Sequence, residues 1–538
     1  MSERVEKPVY NTYEDFPFDD LNLYAGLDCI TTSAVLSKLF PMLVDEPIFI
    51  TDVNQVDKKN IPSTRKLKAL VEVNDEVTLP ALEYIIDMEI NGMKYDAEMN
   101  RRLHVQMTDE ISMLKDSIFK MIGKEIDLNS GVKMAEFLYK EKGFIAPYTT
   151  TAGEPSTDGD ALLTLAGIDP TNPGRYLSPD PDLQYLAYIA KYKDIFSAHN
   201  MFIKSYIEDF VDDDGRIRAS YNLHGTSSFR ITGSDPNFTQ LPRAKHGYNI
   251  RDCYTVDEGN VFIAFDFSSA EMKILACLSG DEAMKEACFK GFDFHTFTAS
   301  TMRMVPYDEF LRILKDRTHP LNAEYKQARQ GAKAVGFGIV YGSGAGGIAA
   351  GLGIEIEAAQ ALIDLYFNKF PKVKDFIQDA HNSAIWNNMI VTPFGQRRKE
   401  YGAKDCFKRT AAYNAALRNS QNCKIQSPTS TLGLITFAEM NRGGIKPMGG
   451  MALSTVYDSA EWEVPLSRAA EAVELGFYYM NEWPMEHFPW LDVPIGSECE
   501  VGTTWGNAEV VHRGTSQVEI ETLIARIKAE AAERVKHA

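Results

Sequence analysis

The alternation of apolar and polar residues predicts a mixed α/β protein with two long helical regions. Helical periodicity covers Val77–Asn91, which ends at Gly92, and most of residues 97–200 and 286–410. Residues Gly342–Gly353 are rich in glycine and predict a flexible interruption of the second region. Strand-like apolar runs lie at Arg216–Leu223, Val261–Asp266 and Leu453–Val464. The last run predicts a hairpin, and the whole pattern indicates an α/β catalytic body with helical insertions.

The size and composition are typical of a cytoplasmic globular protein with several domains. A chain of 538 residues corresponds to about three or four domain-sized units. Its seven cysteines are scattered and form no C-x-x-C pair, so we expect reduced thiols in the cytoplasm. No apolar run approaches the length of a membrane span, and we expect no membrane partner.

The net charge of −19 argues weakly against a nucleic-acid partner, because a DNA-binding domain usually carries a basic face. The objection is not decisive, since binding depends on where the cations lie. An enzyme that gathers metal ions also needs carboxylates. The charge therefore leaves chemistry on nucleic acids open.

Two aspartates stand at the ends of predicted strands. The apolar run Val261–Phe265 ends abruptly in Asp266, and Asp458 lies near the turn of the predicted hairpin. Two aspartates that converge could hold two magnesium ions ~4 Å apart, which is the arrangement used for in-line phosphoryl transfer. Either residue could equally be a turn residue, because aspartate favours turns. The spacing alone does not show that they meet.

A stripe of two cations and two aromatic residues runs along one predicted helix. Arg329, Lys333, Phe337 and Tyr341 recur every four residues and would share one helix face. The stripe suits a ligand with a polyanionic tail and a flat ring. The alternative is an amphipathic helix with two solvated cations and two core aromatic residues.

A second stripe consists of long polar side chains at the same spacing. Arg418, Asn422 and Gln426 would share one helix face, from which they could reach phosphates and minor-groove acceptors without reading sequence. The alternative is an ordinary solvated helix face.

Six segments, in this order along the chain, resemble motifs of the family A DNA polymerases of bacteria and phages. The similarity covers about residues 20–510. The resembling segments are Asp127–Ser130 at the tip of the thumb, Thr226–Asn237, Asp266–Ala276 as the first palm motif, Phe292–Thr296, Arg329–Gly342 as the fingers motif, and Val456–Pro465.

The resemblance implies a right-hand polymerase fold of the α/β (α+β) class, with an antiparallel palm sheet and a helical thumb and fingers. We expect the following parts: 1–79 as a remnant of the C-terminal part of an exonuclease domain plus a connector, 80–205 as the thumb, 206–285 and 410–510 as the palm, 286–409 as the fingers, and 511–538 as a C-terminal helical extension.

The resemblance further implies a DNA-directed DNA polymerase that extends a primer 3′ end on primer-template DNA with dNTPs. Asp266 and Asp458 would bind two Mg²⁺ ions, for which Mn²⁺ could substitute. The implied nucleotide contacts are Arg329, Lys333 and His295 at the triphosphate, Phe337 at the sugar, Glu271 against a 2′-hydroxyl, and Tyr341 at the templating position. The implied contacts to the nascent duplex are Arg230, Asn422 and Gln426, with Arg418 beside them.

The chain departs from the family pattern next to one of the aspartates. Tyr457 and Ser459 stand where His and Glu are usual, and Phe229 replaces a usual Gly. Metal binding should persist because Asp458 is present, whereas primer-end positioning and a supporting carboxylate are in question. We expect an active, phage-like enzyme. The alternatives are a catalytically weak DNA-binding subunit of a split polymerase and exonuclease, and a single-subunit RNA polymerase, against which Glu271 argues.

The N-terminal segment resembles only the last motif of a proofreading 3′–5′ exonuclease, through Tyr24 and Asp28. Three interpretations remain: a structural remnant, a segment that completes an exonuclease made by a separate chain, or a piece of a longer protein. We expect no proofreading by this chain alone. The tail Gly506–Ala538, with a predicted helix at Val518–Val535, could bind a separate exonuclease or processivity subunit, or be a plain extension.

Overall fold

A computed structural model describes residues 49–56, 62–66, 70–150, 153–168, 181–400, 402–405 and 410–537. The chain divides into two compact units. The first comprises Met1–Ala81 with Ile274–Thr431, and the second comprises Leu82–Lys273 with Leu432–Ala538. No helix of the described residues has the length and hydropathy needed to cross a membrane.

The second unit is built on a five-stranded antiparallel sheet. Its strand order is β11 (Met451–Val456), β12 (Ser459–Pro465), β8 (Asn260–Phe267), β13 (Ser497–Gly502) and β14 (Glu509–Val511). The central strand β8 is buried from Val261 to Phe265, which explains why its sequence is continuously apolar rather than alternating. The predicted strand and the predicted hairpin are both confirmed.

Smaller sheets complete the strand inventory of the described residues. The second unit has a three-stranded sheet of β4 (Arg216–Ile217), β3 (Met93–Tyr95) and β7 (Tyr254–Thr255), and the pair β5 (Ser220–Asn222) with β6 (Thr232–Ser234). The first unit has the pairs β1 (Phe49–Val56) with β2 (Pro62–Lys66), and β9 (Met389–Val391) with β10 (Arg397–Lys399). The run predicted at Arg216–Leu223 is therefore divided between two sheets.

Helices of the second unit pack on the sheets of that unit around one core, in which Leu103, Ile189 and Phe262 are buried. The helix Ala97–Ile122 begins at Asp96, whose carboxylate accepts from the Met99 N–H at 2.9 Å, and ends at Gly123. The helices of this unit are Ala97–Ile122, Gly131–Ala135, Gly159–Leu165, Gln184–Phe202, Tyr206–Phe210, Ala469–Asn481, Trp483–His487 and Gln517–His537.

The last of these helices confirms the one predicted in the C-terminal tail. Its residues Ile520, Ile524 and Ile527 are buried, and it contacts the helix Ala469–Asn481 and strand β13. The tail therefore adds one apolar helix face to the core of the second unit.

The first unit is mainly helical, as predicted, and the glycine-rich interruption predicted at Gly342–Gly353 is confined to the residues between Val340 and Ala345. Residues Ala345–Leu352 form a helix with Ile348 and Ala349 buried, because tertiary packing overrides the low helix propensity of glycine. The β9–β10 hairpin is a second departure from the predicted helical region. The helices of this unit are Glu282–Phe289, Phe294–Met302, Tyr307–Lys315, Asn322–Val340, Ala345–Leu352, Ile356–Lys369, Pro371–Asn387 and Gly402–Asp405. Three further helices run across the division between the units: Leu79–Asn91, Ala270–Ser279 and Ala411–Met440.

Candidate active site

The two aspartates meet at one end of the five-stranded sheet. Asp266 pairs with Ser459 across β8 and β12, and a two-residue turn of Tyr457 and Asp458 joins β11 to β12. The Phe267 N–H donates to the Asp458 carbonyl oxygen at 3.1 Å, which fixes this turn against β8. Paired residues of antiparallel strands have Cα atoms about 5 Å apart. The register thus brings together two carboxylates that lie far apart in the sequence.

Desolvation raises the pKa of both carboxylates, and like charges add to this effect at Asp266. The Asp266 side chain reaches solvent, yet desolvation by the surrounding protein, together with the charges of Asp458, Glu461 and Glu498, raises its pKa to about 7. Desolvation also raises the pKa of Asp458, which the Arg230 guanidinium partly offsets. Carboxylates crowded in this way favour a bound cation, because a cation compensates the repulsion.

The residue that departs from the family pattern, Tyr457, contacts the predicted DNA-binding arginine. The Tyr457 backbone has a φ of +61°, a conformation that costs a non-glycine residue about 1–3 kcal/mol. Its ring centroid lies 5.2 Å from the Arg230 guanidinium carbon. Arg230 donates to the Glu271 carboxylate at 2.6 Å, and the Thr226 hydroxyl bonds both the N–H and the carbonyl of Arg230 at 2.9 Å. Tyr457, Arg230 and Glu271 therefore form one connected group.

A third carboxylate, which sequence reasoning missed, lies on the same face of the sheet. Glu461 is 1% exposed and accepts hydrogen bonds from the hydroxyls of Ser454 and Ser459. Burial raises the pKa of Glu461 to about 7. The only signal in the sequence is strand alternation, which puts residues 459 and 461 on one face.

These carboxylates fit a magnesium site that substrate would complete. Among the residues that the structure describes, no three or more His, Cys, Asp or Glu side chains converge as a preformed metal site. Mg²⁺ commonly takes one or two carboxylates and fills its other positions with water and substrate phosphates. The pair Asp266 and Asp458 provides that number of ligands, and its desolvated negative charge suits a divalent cation.

In the first unit, the predicted stripe lies on the helix Asn322–Val340, away from the buried face formed by residues such as Tyr325 and Val335. Arg329 Nε donates to Asp293 Oδ2 at 2.9 Å and to the Thr296 hydroxyl at 3.1 Å. Lys333 is exposed. The cations of the stripe are therefore held at the surface of the unit.

The aromatic part of the stripe is half-buried rather than part of the core, so the alternative with two core aromatic residues is wrong. The rings of Phe337 and Tyr341 are stacked, with centroids 5.7 Å apart and an angle of 7°. His295, predicted at the triphosphate, lies 5.2 Å from the Phe337 ring. Lys333 Nζ lies 5.8 Å from that ring. The structure thus brings all of these predicted nucleotide-binding residues of the first unit together.

His295 is expected to be neutral at pH 7. Burial lowers its pKa to about 4, with the charges of Arg329 and Lys333 acting in the same direction and that of Asp293 in the opposite one. A neutral imidazole offers one hydrogen-bond donor and one acceptor. His295 could therefore bind a phosphate oxygen by a hydrogen bond but would not add charge.

The second polar stripe lies on the helix Ala411–Met440. Arg418 is exposed, whereas Asn422 and Gln426 are half-buried, and the Asn422 Oδ1 atom has no hydrogen-bond partner among the described residues. Its neighbour Gln421, which sequence reasoning missed, donates to the carbonyls of Ile339 and Val340. Gln421 therefore ties the helix of the second stripe to the end of the helix Asn322–Val340.

The remaining predicted site residues, Tyr24 and Asp28, lie outside the described residues.

Known proteins resemble this chain in sequence and in fold. A family model described as DNA polymerase family A matches residues 97–507. The thermostable DNA polymerase I of Thermus filiformis is 29% identical over 449 residues, which are 83% of this chain and 49% of that protein. DNA polymerase I of Chloroflexus aurantiacus is 27% identical over 499 residues, which are 92% of this chain and 47% of that protein. The chain thus spans about half the length of these relatives.

A solved structure agrees with these matches. The POL domain of Pol1 from M. smegmatis, in complex with DNA primer-template and dNTP, is similar with a TM-score of 0.69 and 27% identity. The match covers 82% of this chain and 72% of that chain. It confirms the predicted fold class, a polymerase fold with mixed helices and antiparallel sheets. The family model covers more than half of the chain, and the chain therefore belongs to DNA polymerase family A.

Proposed function

We propose that this chain is a DNA-directed DNA polymerase, which extends the 3′ end of a primer on a DNA template with dNTPs. The observation that carries the proposal is the convergence of Asp266 and Asp458 at one end of the antiparallel sheet. Membership of the family supports it, and so does the similarity to a POL domain in complex with primer-template and dNTP.

Asp266 and Asp458 are proposed to hold two Mg²⁺ ions, with Mn²⁺ as a substitute. Bound there, the ions would lower the pKa of the attacking primer hydroxyl and neutralise charge on the reacting phosphate. The raised pKa of Asp266 supports this role, because the crowded carboxylates gain most from a cation.

The proposed nucleotide contacts follow from charge and shape. Arg329 and Lys333 would bind the triphosphate, because both cations lie at the surface on one helix face. The half-buried ring of Phe337 would pack at the sugar, and Tyr341 would hold the templating position. Glu271 would exclude a 2′-hydroxyl, and its bond to Arg230 supports a fixed orientation of that carboxylate.

The proposed DNA contacts are made by long polar side chains that do not read sequence. Arg230, Asn422 and Gln426, with Arg418 beside them, would contact the nascent duplex in its minor groove. The exposed Arg418 and the half-buried Asn422 and Gln426 follow one another on one helix, which supports a contact surface there. We also propose thumb, palm and fingers at the boundaries expected above.

Primer extension by the purified chain tests this function. The wild type should extend a labelled primer with Mg²⁺ and four dNTPs. Asp266→Ala and Asp458→Ala should each reduce extension by about a thousandfold, which corresponds to roughly 4 kcal/mol of lost transition-state stabilisation. Asp308→Ala, which removes an exposed carboxylate of the first unit, is the matched control and should behave as the wild type.

Two other outcomes would indicate a different function for this chain. DNA binding without any extension by the wild type would indicate a DNA-binding subunit instead of a polymerase. Equal incorporation of rNTPs and dNTPs would indicate an RNA polymerase.

A role in phage replication and the lack of proofreading by this chain stay predictions. Degradation of a mismatched primer by the purified chain would contradict the second of these.

A further inference from the structure

Glu461 is a buried carboxylate for which the fold alone gives little reason. It lies on β12 opposite Ala264, on the same sheet face as Asp266, and is 1% exposed. Its neighbour on that face, Glu463, is also buried but has the guanidinium of Arg216 at 3.1 Å. The hydrogen bonds recorded for the Glu461 carboxylate come from two serine hydroxyls. The charge of Arg251 offsets only part of the effect of burial, because the pKa of Glu461 stays raised. Burial of such a carboxylate is costly, so a functional reason is expected.

The hydrogen bonds of Glu461 lead directly to the turn that carries Asp458. Ser459, the next residue after Asp458, places its Oγ 3.1 Å from Glu461 Oε1 and 3.2 Å from the Val456 carbonyl oxygen. Ser459 is also the residue that pairs with Asp266. The single hydrogen of the Ser459 hydroxyl can be donated either to the buried carboxylate or to the carbonyl on the other side of the two-residue turn, so the hydroxyl lies between Glu461 and the turn.

Glu461 also acts on the aspartate pair through its charge. It is one of the three carboxylates whose field acts on Asp266, together with Asp458 and Glu498. Position 459, beside the pair, carries only a hydroxyl. On this face of β12 a buried carboxylate stands at position 461, two residues after position 459. Ser459 lies between that carboxylate and the turn.

We propose that Glu461 is a positioning residue for the divalent cation at Asp266 and Asp458, acting through Ser459 on the turn and through its negative charge on the site. The inference rests on the proposed function, because it assumes that these aspartates bind a cation. Partners that orient metal ligands commonly change metal affinity by about 10–100-fold when they are replaced.

Binding of Mn²⁺ to the DNA-free full chain, followed by electron paramagnetic resonance, tests the proposal. Glu461→Gln should weaken Mn²⁺ binding by about tenfold, and Ser459→Ala should weaken it by a smaller factor. The double variant Ser459→Glu with Glu461→Gln moves the carboxylate to the turn and should restore binding. Glu509→Gln changes the same charge at the far edge strand of the sheet and should bind Mn²⁺ as the wild type does.

Thermal unfolding shows which variants are folded, and the Mn²⁺ binding of the folded variants then supports or overturns the proposal. A folded Glu461→Gln variant that binds Mn²⁺ as the wild type does overturns the proposal. If that variant does not fold, unchanged binding by Ser459→Ala overturns it. A double variant that stays as weak as Glu461→Gln refutes charge as the cause.

Failure of the proposed function would look different. In that case the wild type would not extend primers, and Asp458→Ala would bind Mn²⁺ as the wild type does. Primer extension that depends on Asp458, combined with unchanged Mn²⁺ binding by Glu461→Gln, would contradict the role of Glu461 and leave the proposed polymerase function in place.

Discussion

Replacing Glu461 with glutamine should change how the stability of the protein depends on pH. Burial raises the pKa of this carboxyl from 4.5 to about 7 in the folded state. A group whose pKa is raised by folding gives its full contribution to stability below its unfolded pKa and loses it as the pH rises through the folded value. The wild type should therefore lose stability from this group between about pH 4.5 and pH 7, and Glu461→Gln should not.

The magnitude follows from the size of the shift. One pKa unit corresponds to 1.36 kcal/mol, so this shift corresponds to roughly 3 kcal/mol as an upper value. The amide keeps the shape of the side chain but disturbs the bonds from Ser454 and Ser459, which costs about 1 kcal/mol at every pH. The variant should thus be slightly less stable than the wild type at pH 5 and more stable by about 2 kcal/mol at pH 8.

Urea unfolding between pH 5 and pH 8, in the presence of a chelator, measures the difference. Tryptophan fluorescence reports mainly on the second unit, where Trp462 is fully buried and Trp505 nearly so, since the tryptophan of the first unit, Trp386, is exposed. The expected result is a difference in unfolding free energy that changes sign across this range. Two curves that run parallel from pH 5 to pH 8 would refute the reasoning, because Glu461 would then be titrating as it does in the unfolded chain.

Two further predictions concern packing in the two units. In Gly338→Ala, the added Cβ would lie 2.9 Å from Ile348 Cγ1, and the overpacking cost of about 1–3 kcal/mol should outweigh the gain in helix propensity of about 1 kcal/mol. Gly336→Ala on the same helix has no such close contact and should be stabilising; thermal unfolding that ranks the two variants the other way would contradict this account. Ile524→Ala in the C-terminal helix should cost about 2–4 kcal/mol, and Val518→Ala, at a side chain that is 70% exposed, should stay within about 0.5 kcal/mol when both are measured by urea unfolding.

The local elements and the site chemistry could be read from the sequence because both depend on short-range patterns. The apolar run Val261–Phe265 predicted a buried strand, since a strand covered on both faces has no polar alternation. Residues spaced by four predicted one helix face, and Arg329, Lys333 and Phe337 do lie together on it. The family motifs added the order of the parts, which periodicity cannot supply.

The glycine content of Gly342–Gly353 did not predict the helix that forms there, because tertiary packing decides the structure of this segment. Residues Ala345–Leu352 include three glycines, which are poor helix formers, yet they form a helix whose Ile348 and Ala349 are buried. Helix propensity is a small term of at most about 1 kcal/mol per residue, and burial of apolar side chains outweighs it. The helix packs against the neighbouring helices Asn322–Val340 and Ile356–Lys369, and helix propensity takes no account of such contacts between elements.

Only the tertiary structure decided which carboxylates meet. The sequence supplied Asp266 at the end of a strand and Asp458 at a turn, but strand alternation fixes only the face of a residue and not its partner. The register of β8 with β12 placed the two aspartates side by side, and the same register brought the missed Glu461 onto their face. Strand pairing is a long-range contact, set by how whole apolar faces fit together, and for that reason it is absent from the local pattern that determined the elements.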